Sequence, residues 1–428
     1  MADVTRLRAD AATIRAAAIA AVDPVAVAAR RLTVDAGRLV LDGAAVAPPI
    51  DLAAVERVVV VGAGKAAAGL AAGVIGVLGP QRLARHRVTG LVSVPAGCTA
   101  DAGPVEVRVT RPAGANLPTP AVVTATREIR GLVAGLGPRD LAIAVITGGG
   151  SALLAEPRDG VTLAEKIALT QQLSAAGADI AALNAARRAL SAVKGGGLAR
   201  SCAAGRLLVL VLSDVIGDDL EVIASGPCMP GSPTEPPGFW TTPRGCRVDH
   251  VLLGGNATAV DAAADAARGL GYRVAVRHAA PGSATQASAE TVGRRLAAEA
   301  LAAAGTGPLA IVEGGEATVT VPADHGSGGR NQQTVLAALD AMHRSGVTWP
   351  ADVLLSSVGT DGEDGPTVAA GAIADADVAA AIAAAGLDVP RAVARCDAHP
   401  LLAAAGGLVV TGPTGTNVAD LRLVLARA

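Results

Sequence analysis

The sequence is poor in aromatic residues and in net charge, and both shortages narrow the range of functions. Phe, Trp and Tyr make up 1% of the 428 residues, which leaves little material for stacking nucleic-acid bases. The formal net charge of −2 gives no overall attraction to nucleic acid or anionic lipid. We therefore expect no nucleic-acid partner.

Cysteine is also scarce and scattered. The five cysteines form no C-x-x-C pair and have no histidine at metal-ligand spacing. A thiolate metal site is not expected, and a reduced cytoplasmic compartment is the simplest interpretation.

Long uninterrupted apolar runs are missing, although the mean hydropathy is +0.45. Alanine accounts for most of the excess, and a charged residue interrupts each apolar run before the roughly 18 residues that a membrane span needs. Arg6, Arg8, Asp10 and Arg15 run through the first segment, which is typical of an amphipathic helix and not of a secretory signal. We expect no membrane partner.

The chain is longer than the roughly 250–300 residues at which single cores stop growing, so its length favours two domains. A proline-rich segment at 227–243 marks the boundary, which we place between domains 1–240 and 241–428. In the first domain, unbroken Val/Leu/Ile runs alternate with Ala-rich helical stretches, as in a doubly wound α/β fold. The predicted strands are 57–61, 90–94, 141–147 and 207–213, and the predicted helices are 65–78, 119–135 and 162–191.

The second domain shows another α/β pattern. Its strands are predicted at 250–254, 309–313, 317–322, 353–358 and 408–411, with helices at 257–269 and 331–343.

Glycine-flanked polar residues follow several of these strands, where ligands of α/β proteins bind. The first group, Gly62, Gly64 and Lys65, is similar to a dinucleotide fingerprint, but 83–87 lacks the acid that would hold the ribose. Lys65 at a helix start suits a carboxylate or a phosphate. The structural alternative is a solvated lysine beside glycines that serve only close packing.

A second group is the glycine run Gly148, Gly149 and Gly150, followed by Ser151. Such a run lets backbone amides converge on an anion, and the alternative is a tight turn without ligand. Neither glycine group matches G-x-x-x-x-G-K-[ST], which excludes a Walker-type NTPase. Lys194, at a helix end, either reaches the phosphates or complements the helix dipole.

Carboxylates form a third group. Asp214 closes a strand and can hold Mg²⁺ or accept a proton, whereas Asp218 and Asp219 are equally well explained as turn and cap residues. Glu316, Arg330 and Asp361 follow glycines in the second half, and Arg330 can clamp a carboxylate or phosphate with both arms of its guanidinium. The alternative for each is a capped turn or a surface ion pair. Asn256 and Glu316 complete the candidate nucleotide-binding residues.

Eight of these signatures occur in an order that resembles the class II glycerate kinases, the glycerate 2-kinase family with a MOFRL-type carboxyl-terminal domain. They span essentially the whole chain: GAGKAAAG, ITGGGSALL, NAARRALSAVKGGG, LSDVIGDDLEVIASGP, EGGEATVTV, GGRNQQ, GTDGEDGP and TGPTGTNV.

The resemblance implies ATP- and Mg²⁺-dependent phosphorylation of the 2-hydroxyl of D-glycerate. It also implies a larger Rossmann-like amino-terminal domain, a smaller α/β carboxyl-terminal domain and a cleft between them. The family's matching lysine and arginine fall on Lys65 and Arg330.

The chain departs from the family pattern at several polar positions. The segment 114–120 lacks the usual His and Asp, 187–191 lacks a His, Gln333 replaces an acid, and 396–399 differs as well. These losses leave open a related hydroxy acid as acceptor, or a weakened activity.

The resulting mechanistic hypothesis places ATP phosphates on the loop from Gly148 to Ser151 and near Lys194, with Mg²⁺ held by Asp214. Lys65 and Arg330 neutralise the acceptor or the transferring phosphoryl group, and Asp361 or Asp214 accepts the hydroxyl proton. An NAD(P)H-dependent hydroxypyruvate reductase and a non-catalytic metabolite-binding relic are the rival interpretations. The oligomeric state stays open, with a homodimer among the options.

Overall fold

The computed structural model describes residues 4–42, 48–113, 117–175, 180–230 and 239–427, and these fall into two compact units. The amino-terminal unit consists of Asp23–Gly254 with Gly415–Asn417, and the carboxyl-terminal unit of Met1–Val22, Gly255–Thr414 and Val418–Ala428. The first helix, α1 (Val4–Ala21), thus belongs to the carboxyl-terminal unit.

The amino-terminal unit contains a small antiparallel sheet, β1-β2-β3, and a seven-stranded sheet in the order β6-β5-β4-β7-β8-β10-β9. Its elements are α2 (Pro24–Arg31), β1 (Leu32–Asp35), β2 (Arg38–Leu41), β3 (Ile50–Asp51), β4 (Val58–Ala63), α3 (Ala67–Arg85), β5 (Thr89–Pro95), β6 (Val105–Arg111), α4 (Pro120–Ala134), β7 (Leu141–Thr147), α5 (Gly150–Leu153), α6 (Leu163–Ala175), α7 (Ile180–Ala189), α8 (Gly197–Ser201), β8 (Arg206–Leu212), β9 (Phe239–Thr241) and β10 (Arg247–Gly254).

The large sheet has the Rossmann strand order. From central β4 the chain moves outward through β5 and β6 and then crosses to β7, β8 and β10, all parallel, before antiparallel β9 closes the edge. The strands β4 and β7 are buried throughout, which explains their unbroken apolar sequence. The doubly wound prediction is confirmed, and the strand order reverses between β4 and β7, where such sheets bind ligands.

One described helix, α3, is long and apolar enough to cross a membrane by length and composition alone. Its residues Leu70, Val74 and Leu78 belong to the same buried cluster as Val58 and Val60 of β4. The helix therefore packs as a core helix against the sheet.

The carboxyl-terminal unit is a six-stranded mixed sheet in the order β11-β12-β16-β13-β14-β15. Its further elements are α9 (Asn256–Gly269), β11 (Arg273–Arg277), α10 (Ala289–Ala303), β12 (Leu309–Gly315), α11 (Arg330–Arg344), β13 (Val353–Gly359), β14 (Gly371–Ala374), α12 (Ala376–Ala384), α13 (Val389–Ala394), α14 (Ala398–Ala404), β15 (Leu408–Val409) and β16 (Asp420–Ala426). The last strand of the chain, β16, lies antiparallel between β12 and β13.

The boundary between the units lies later in the chain than the predicted break after residue 240. The strand predicted at 250–254 is the end of β10, which pairs with β8 in the amino-terminal sheet. Strand β10 therefore completes the first sheet and does not begin the second. Residues 231–238 of the proline-rich segment lie outside the described residues, as do 114–116.

Two further predictions differ from the structure. No strand forms at 317–322, where Thr318 makes only an isolated bridge with Ser288. The helix predicted over 162–191 corresponds to two helices, α6 and α7, and residues 176–179 lie outside the described part of the chain.

Candidate active site

The loops that follow β4 and β7 are joined at the point where the strand order reverses. The Lys65 N–H donates to the Gly148 carbonyl oxygen at 2.8 Å, and the Ala66 N–H to Thr147 Oγ1 at 3.1 Å. Gly64 has a φ of +137°, and a Cβ there would lie 2.0 Å from Thr147 Oγ1. Close packing of the two strand ends thus accounts for Gly64, which is the role that the structural alternative gave to these glycines.

The predicted glycine loop from Gly148 to Ser151 carries Asp214 against its backbone. Gly149 has a φ of +78°, and its N–H donates to Asp214 Oδ2 at 3.1 Å. A Cβ on Gly148 would lie 2.7 Å from Asp214 Oδ2 and 2.9 Å from Asn417 Nδ2. Asp214, at the end of β8, and Asn417 therefore lie directly over the loop.

Two cations flank the same loop. A Cβ on Gly149 would lie 3.5 Å from Lys65 Cγ and 3.9 Å from an Nη of Arg111. Lys65 was predicted for this place, whereas Arg111 and Asn417 were not. Arg111 is the last residue of β6 and is buried, so its position at a strand end is the signal that points to it. Asn417 lies in the glycine-rich motif at 411–422.

Lys194 makes contacts that differ from both sequence-based interpretations, a bond to phosphates and a charge at a helix end. Its buried Nζ donates to the Ser151 carbonyl at 2.9 Å and to the Ala224 carbonyl at 3.2 Å. Ala224 and Ser225 adopt positive φ values of 52° and 62°, a costly conformation for residues other than glycine. Lys194 therefore ties a strained turn to the glycine loop.

Ser151 begins a short chain of hydrogen-bonded side chains that leads into the interior on this side of the loop. Its Oγ lies 2.9 Å from Ser225 Oγ, which in turn donates to Asn184 Oδ1 at 3.0 Å. Asp218 and Asp219 lie apart from this chain. Asp218 has a φ of 55°, and Asp219 Oδ1 accepts the Glu221 N–H at 2.9 Å, so both serve as turn residues.

In the carboxyl-terminal unit, Arg330 is held between carboxylates. Its Nε donates to Asp420 at 2.9 Å, and its Nη1 lies 3.2 Å from Glu316. Asp420 begins β16 and is fully buried. Burial by itself would lower the pKa of the Arg330 guanidinium, but the charge and hydrogen bonds of Asp420 and the charges of Glu316 and Asp364 together raise that pKa. The structure thus brings Arg330 and Glu316 together, and it adds Asp420, which the sequence did not identify.

The start of α11 binds a second buried carboxylate, Asp364. The N–H groups of Asn331 and Gln332 donate to its two oxygens at 3.0 and 2.8 Å. The Asn331 side chain also donates to Asp420 at 3.0 Å. Burial raises the pKa of Asp364 in spite of these donors.

Asn256 and Asp361 have local partners. The Asn256 amide donates to the carbonyls of Val418 and Asp420 at 2.8 and 3.0 Å, so it connects the start of α9 to β16. Asp361 Oδ1 accepts the Glu363 N–H at 3.1 Å, as in a capped turn.

No group of three or more His, Cys, Asp or Glu side chains suited to a metal occurs within the described ranges. Asp214 therefore belongs to no such group, and it could hold Mg²⁺ only together with phosphate oxygens, which is the usual way magnesium binds in kinases.

Comparison with known proteins gives the site its context. The model for "Domain of unknown function (DUF4147)" matches residues 10–240, and the model for "MOFRL family" matches residues 309–420. The chain is 36% identical over 454 residues to glycerate kinase from Homo sapiens, covering 87% of this chain and 85% of that protein. It belongs to the glycerate 2-kinase family.

Other members of the family support the same assignment. D-glycerate 2-kinase from Thermotoga maritima is 35% identical over 391 residues, covering 86% of this chain and 90% of the relative. A crystal structure of glycerate kinase from that organism superposes with a TM-score of 0.77 at 31% identity, covering 99% of this chain and all of the other (100%).

Some relatives carry another name. A putative hydroxypyruvate reductase from Agrobacterium vitis is 36% identical over 400 residues, covering 86% of this chain and 87% of that protein. The dinucleotide-binding form of the Rossmann fold requires an acid about 20 residues after the glycine loop. Here β5, the neighbour of β4, ends in Ser93, Val94 and Pro95, without a carboxylate for the ribose.

Proposed function

We propose that this protein is a kinase that transfers the γ-phosphoryl group of ATP to the 2-hydroxyl of D-glycerate, giving 2-phosphoglycerate and ADP. The observation that carries the proposal is the meeting of Lys65, Asp214 and the loop from Gly148 to Ser151 at the switch point of a Rossmann-ordered sheet. The names of the relatives support the choice of glycerate and of its 2-hydroxyl.

The loop is proposed to bind the ATP phosphates. Its glycines place backbone N–H groups at the switch point, where that of Gly149 donates to the Asp214 carboxylate, and backbone N–H groups in such a turn attract anions. Lys194 is proposed to support this role by holding the Ser151 carbonyl. Phosphoryl transfer depends mainly on positioning and on stabilising charge, and a preformed loop with an adjacent lysine supplies both.

Asp214 is proposed as the ligand of Mg²⁺. One carboxylate fits this ion, which binds through one or two carboxylates and the substrate phosphates. When bound, Mg²⁺ would neutralise charge on the phosphates. Lys65 is proposed to stabilise the charge of the transferring group or of the acceptor.

Arg330, Asp361, Glu316 and Asn256 in the carboxyl-terminal unit are kept as proposed participants in the same reaction. Arg330 is proposed to neutralise negative charge, and Asp361 or Asp214 to accept the hydroxyl proton. Glu316 and Asn256 are proposed nucleotide contacts, although both already hold protein partners.

The proposed location is the cytoplasm. All five cysteines lie within the described residues and none forms a disulfide, as expected in a reducing compartment.

The test is an assay of the purified protein with ATP, Mg²⁺ and D-glycerate, run beside hydroxypyruvate with NADH. We expect ADP release, and phosphorus NMR should identify 2-phosphoglycerate as the product. A panel of related hydroxy acids measures the effect of the substituted family positions. NADH oxidation without ADP release would overturn the proposal, and 3-phosphoglycerate as the product would overturn the choice of hydroxyl.

The variant Lys65→Ala connects the activity to the site. We expect kcat/KM to fall by about 100-fold or more, as when a charge-stabilising group is removed. The melting temperature should barely change, because a partly exposed loop lysine contributes little to stability. Unchanged turnover in this variant would remove Lys65 from the site.

A further inference from the structure

Two further cations beside the glycine loop, Lys166 and Arg187, have no role in the reaction described above. Lys166 of α6, Arg187 of α7 and Lys194 line a small pocket together with Ser151. We call this set the cationic pocket. Lys166 Nζ donates to the Arg187 carbonyl at 3.1 Å, which ties the two helices together.

Among the described residues, these three cationic side chains have no counter-ion, and Arg187 is half-buried. Lys166 and Lys194 are 4% and 3% exposed. Throughout the described part of the chain, no carboxylate pairs with any of the three, and the only charges that act on the two lysines are the other cations. Burying like charges together is costly unless an anion compensates them. A site built in this way favours a negatively charged ligand.

The distribution of lysine in the sequence points to the same place. The chain has only three lysines among its 36 lysine and arginine residues, and they are Lys65, Lys166 and Lys194. Lys65 lies against Gly149, Lys194 bonds Ser151, and Lys166 shares a pocket with Ser151. All the other residues of this lysine and arginine total are arginine. All three lysines of the chain thus lie at or beside the glycine loop.

The volume of the pocket limits the size of the ligand that it can bind. Its volume is about 50 Å³, far below the roughly 300 Å³ at which pockets for drug-sized ligands begin. Leu117, Pro118 and Ile167 form its apolar side. The pocket therefore suits a small anion on a short carbon chain and not a nucleotide.

We infer that the cationic pocket binds the carboxylate of the acceptor hydroxy acid, through Lys166 and Arg187, with Ser151 at its inner edge. The identity of the acid as D-glycerate rests on the proposed function, whereas its class, a small monocarboxylate, rests on the pocket. This arrangement assigns Lys166, which no family motif quoted above contains, to acceptor specificity.

The test compares Lys166→Gln and Arg187→Gln with Arg188→Gln. Arg188 is the matched control, because it lies on the same helix and its guanidinium contacts the Glu221 carbonyl at 3.5 Å and does not line the pocket. Calorimetric titration with D-glycerate, with glycerol as the uncharged probe, should show binding of the acid weakened about tenfold or more in both pocket variants. Arg188→Gln should bind like the wild type, and glycerol should bind none of the proteins measurably.

Steady-state kinetics separate the acceptor from the nucleotide. We expect the KM for D-glycerate to rise in the pocket variants while the KM for ATP stays unchanged. A rise in the KM for ATP alone would overturn the inference in favour of a nucleotide-phosphate site, and unchanged constants for both substrates would also overturn it.

The pH dependence of binding gives an independent readout. Burial, followed by the charge of Arg187, lowers the pKa of Lys166 to about 8, and Arg187 and Lys194 are the charged groups that face it. Because the protonated form attracts the acid, affinity should be full below about pH 7 and should fall as the pH rises through about 8. Lys166→Gln should lose this dependence.

A failure of the proposed function can be distinguished from a failure of the inference about the cationic pocket. If the wild type transferred no phosphoryl group to D-glycerate, the proposed function would fall. Titration with glycolate and D-lactate would then decide the pocket. Binding that is lost in Lys166→Gln and kept in Arg188→Gln supports the pocket, and the absence of binding by any small carboxylate refutes it.

Discussion

At the scale of single residues, Arg330 shows how a residue marked by a motif can also be structural. Its guanidinium bonds fully buried Asp420, which also receives a side-chain bond from Asn331 and lies 3.8 Å from Arg422. Removing Arg330 takes away the main donor to this buried carboxylate. Loss of activity in an Arg330 variant therefore needs a stability measurement beside it.

We expect Arg330→Ala to lower the free energy of unfolding by about 1.5–3 kcal/mol, the range for a lost hydrogen bond to a charged group, because Arg330 is 34% exposed and Asp420 keeps Arg422 nearby. Arg344→Ala is the control on the same helix, because Arg344 pairs with Asp340 while 63% exposed, and its loss should cost less than about 1 kcal/mol. Urea unfolding measures both. Equal stabilities for the two variants would show that the Asp420 pair is dispensable, and Arg330 would then be judged on activity alone.

The residues at strand ends differ in how well the sequence predicts them. Lys65, Asp214 and the glycine loop follow strands that the sequence predicts, and the structure brings them together. Arg111 ends β6 and Asp420 begins β16, and neither of these strands was predicted. A strand-end argument finds only residues whose strand has been recognised.

At the scale of elements, the contact between β4 and β7 decides the geometry of the site. The two strands pair in register from Val58 to Ala63, and Gly64 continues the close approach beyond the last pair. Because β4 and β7 carry the two loops of the proposed site, any separation of their ends moves Lys65 away from Gly149.

Gly64→Ala should therefore destabilise the protein by about 1–3 kcal/mol or more through overpacking. Gly76→Ala in α3 is the matched control, since nothing lies within 4 Å of a Cβ at that position. It should leave stability unchanged or raise it by up to about 1 kcal/mol, because alanine is the better helix former. Guanidinium chloride denaturation distinguishes the two, and a tolerated Gly64→Ala would contradict the close approach.

At the scale of the whole molecule, three separate segments of the chain build the carboxyl-terminal unit. Helix α1 belongs to that unit although the amino-terminal unit follows it directly. Asp10 of α1 accepts bonds from Tyr272 Oη at 2.6 Å and from Arg427 at 2.8 Å, and Arg8 bonds buried Asp375 at 2.7 Å. The first residues of the chain thus help to close a unit made mainly of its last residues.

Asp10→Ala should destabilise the carboxyl-terminal unit by about 1.5–3 kcal/mol, the range for a lost hydrogen bond to a charged group. Hydrogen exchange followed by mass spectrometry should show faster exchange in 255–427 and unchanged exchange in 48–113. Thr13→Ala is the control, because the Thr13 hydroxyl bonds only the Ala9 carbonyl of its own helix. Faster exchange confined to the amino-terminal unit would refute this assignment of α1.

The sequence by itself determined the central strands β4, β5, β7 and β8 of the doubly wound unit, the helices α3 and α4, the glycine loops and the family. Apolar runs, glycines and motif order are local signals that a single stretch of chain carries. Only the tertiary structure decided that β10 completes the first sheet, that β16 lies between β12 and β13, and that α1 joins the far end of the chain. It also decided that Lys166, Arg187 and Lys194 share one pocket. Each of these depends on contacts between residues distant in sequence, and such contacts are set by which buried surfaces and hydrogen-bonding edges find each other during folding.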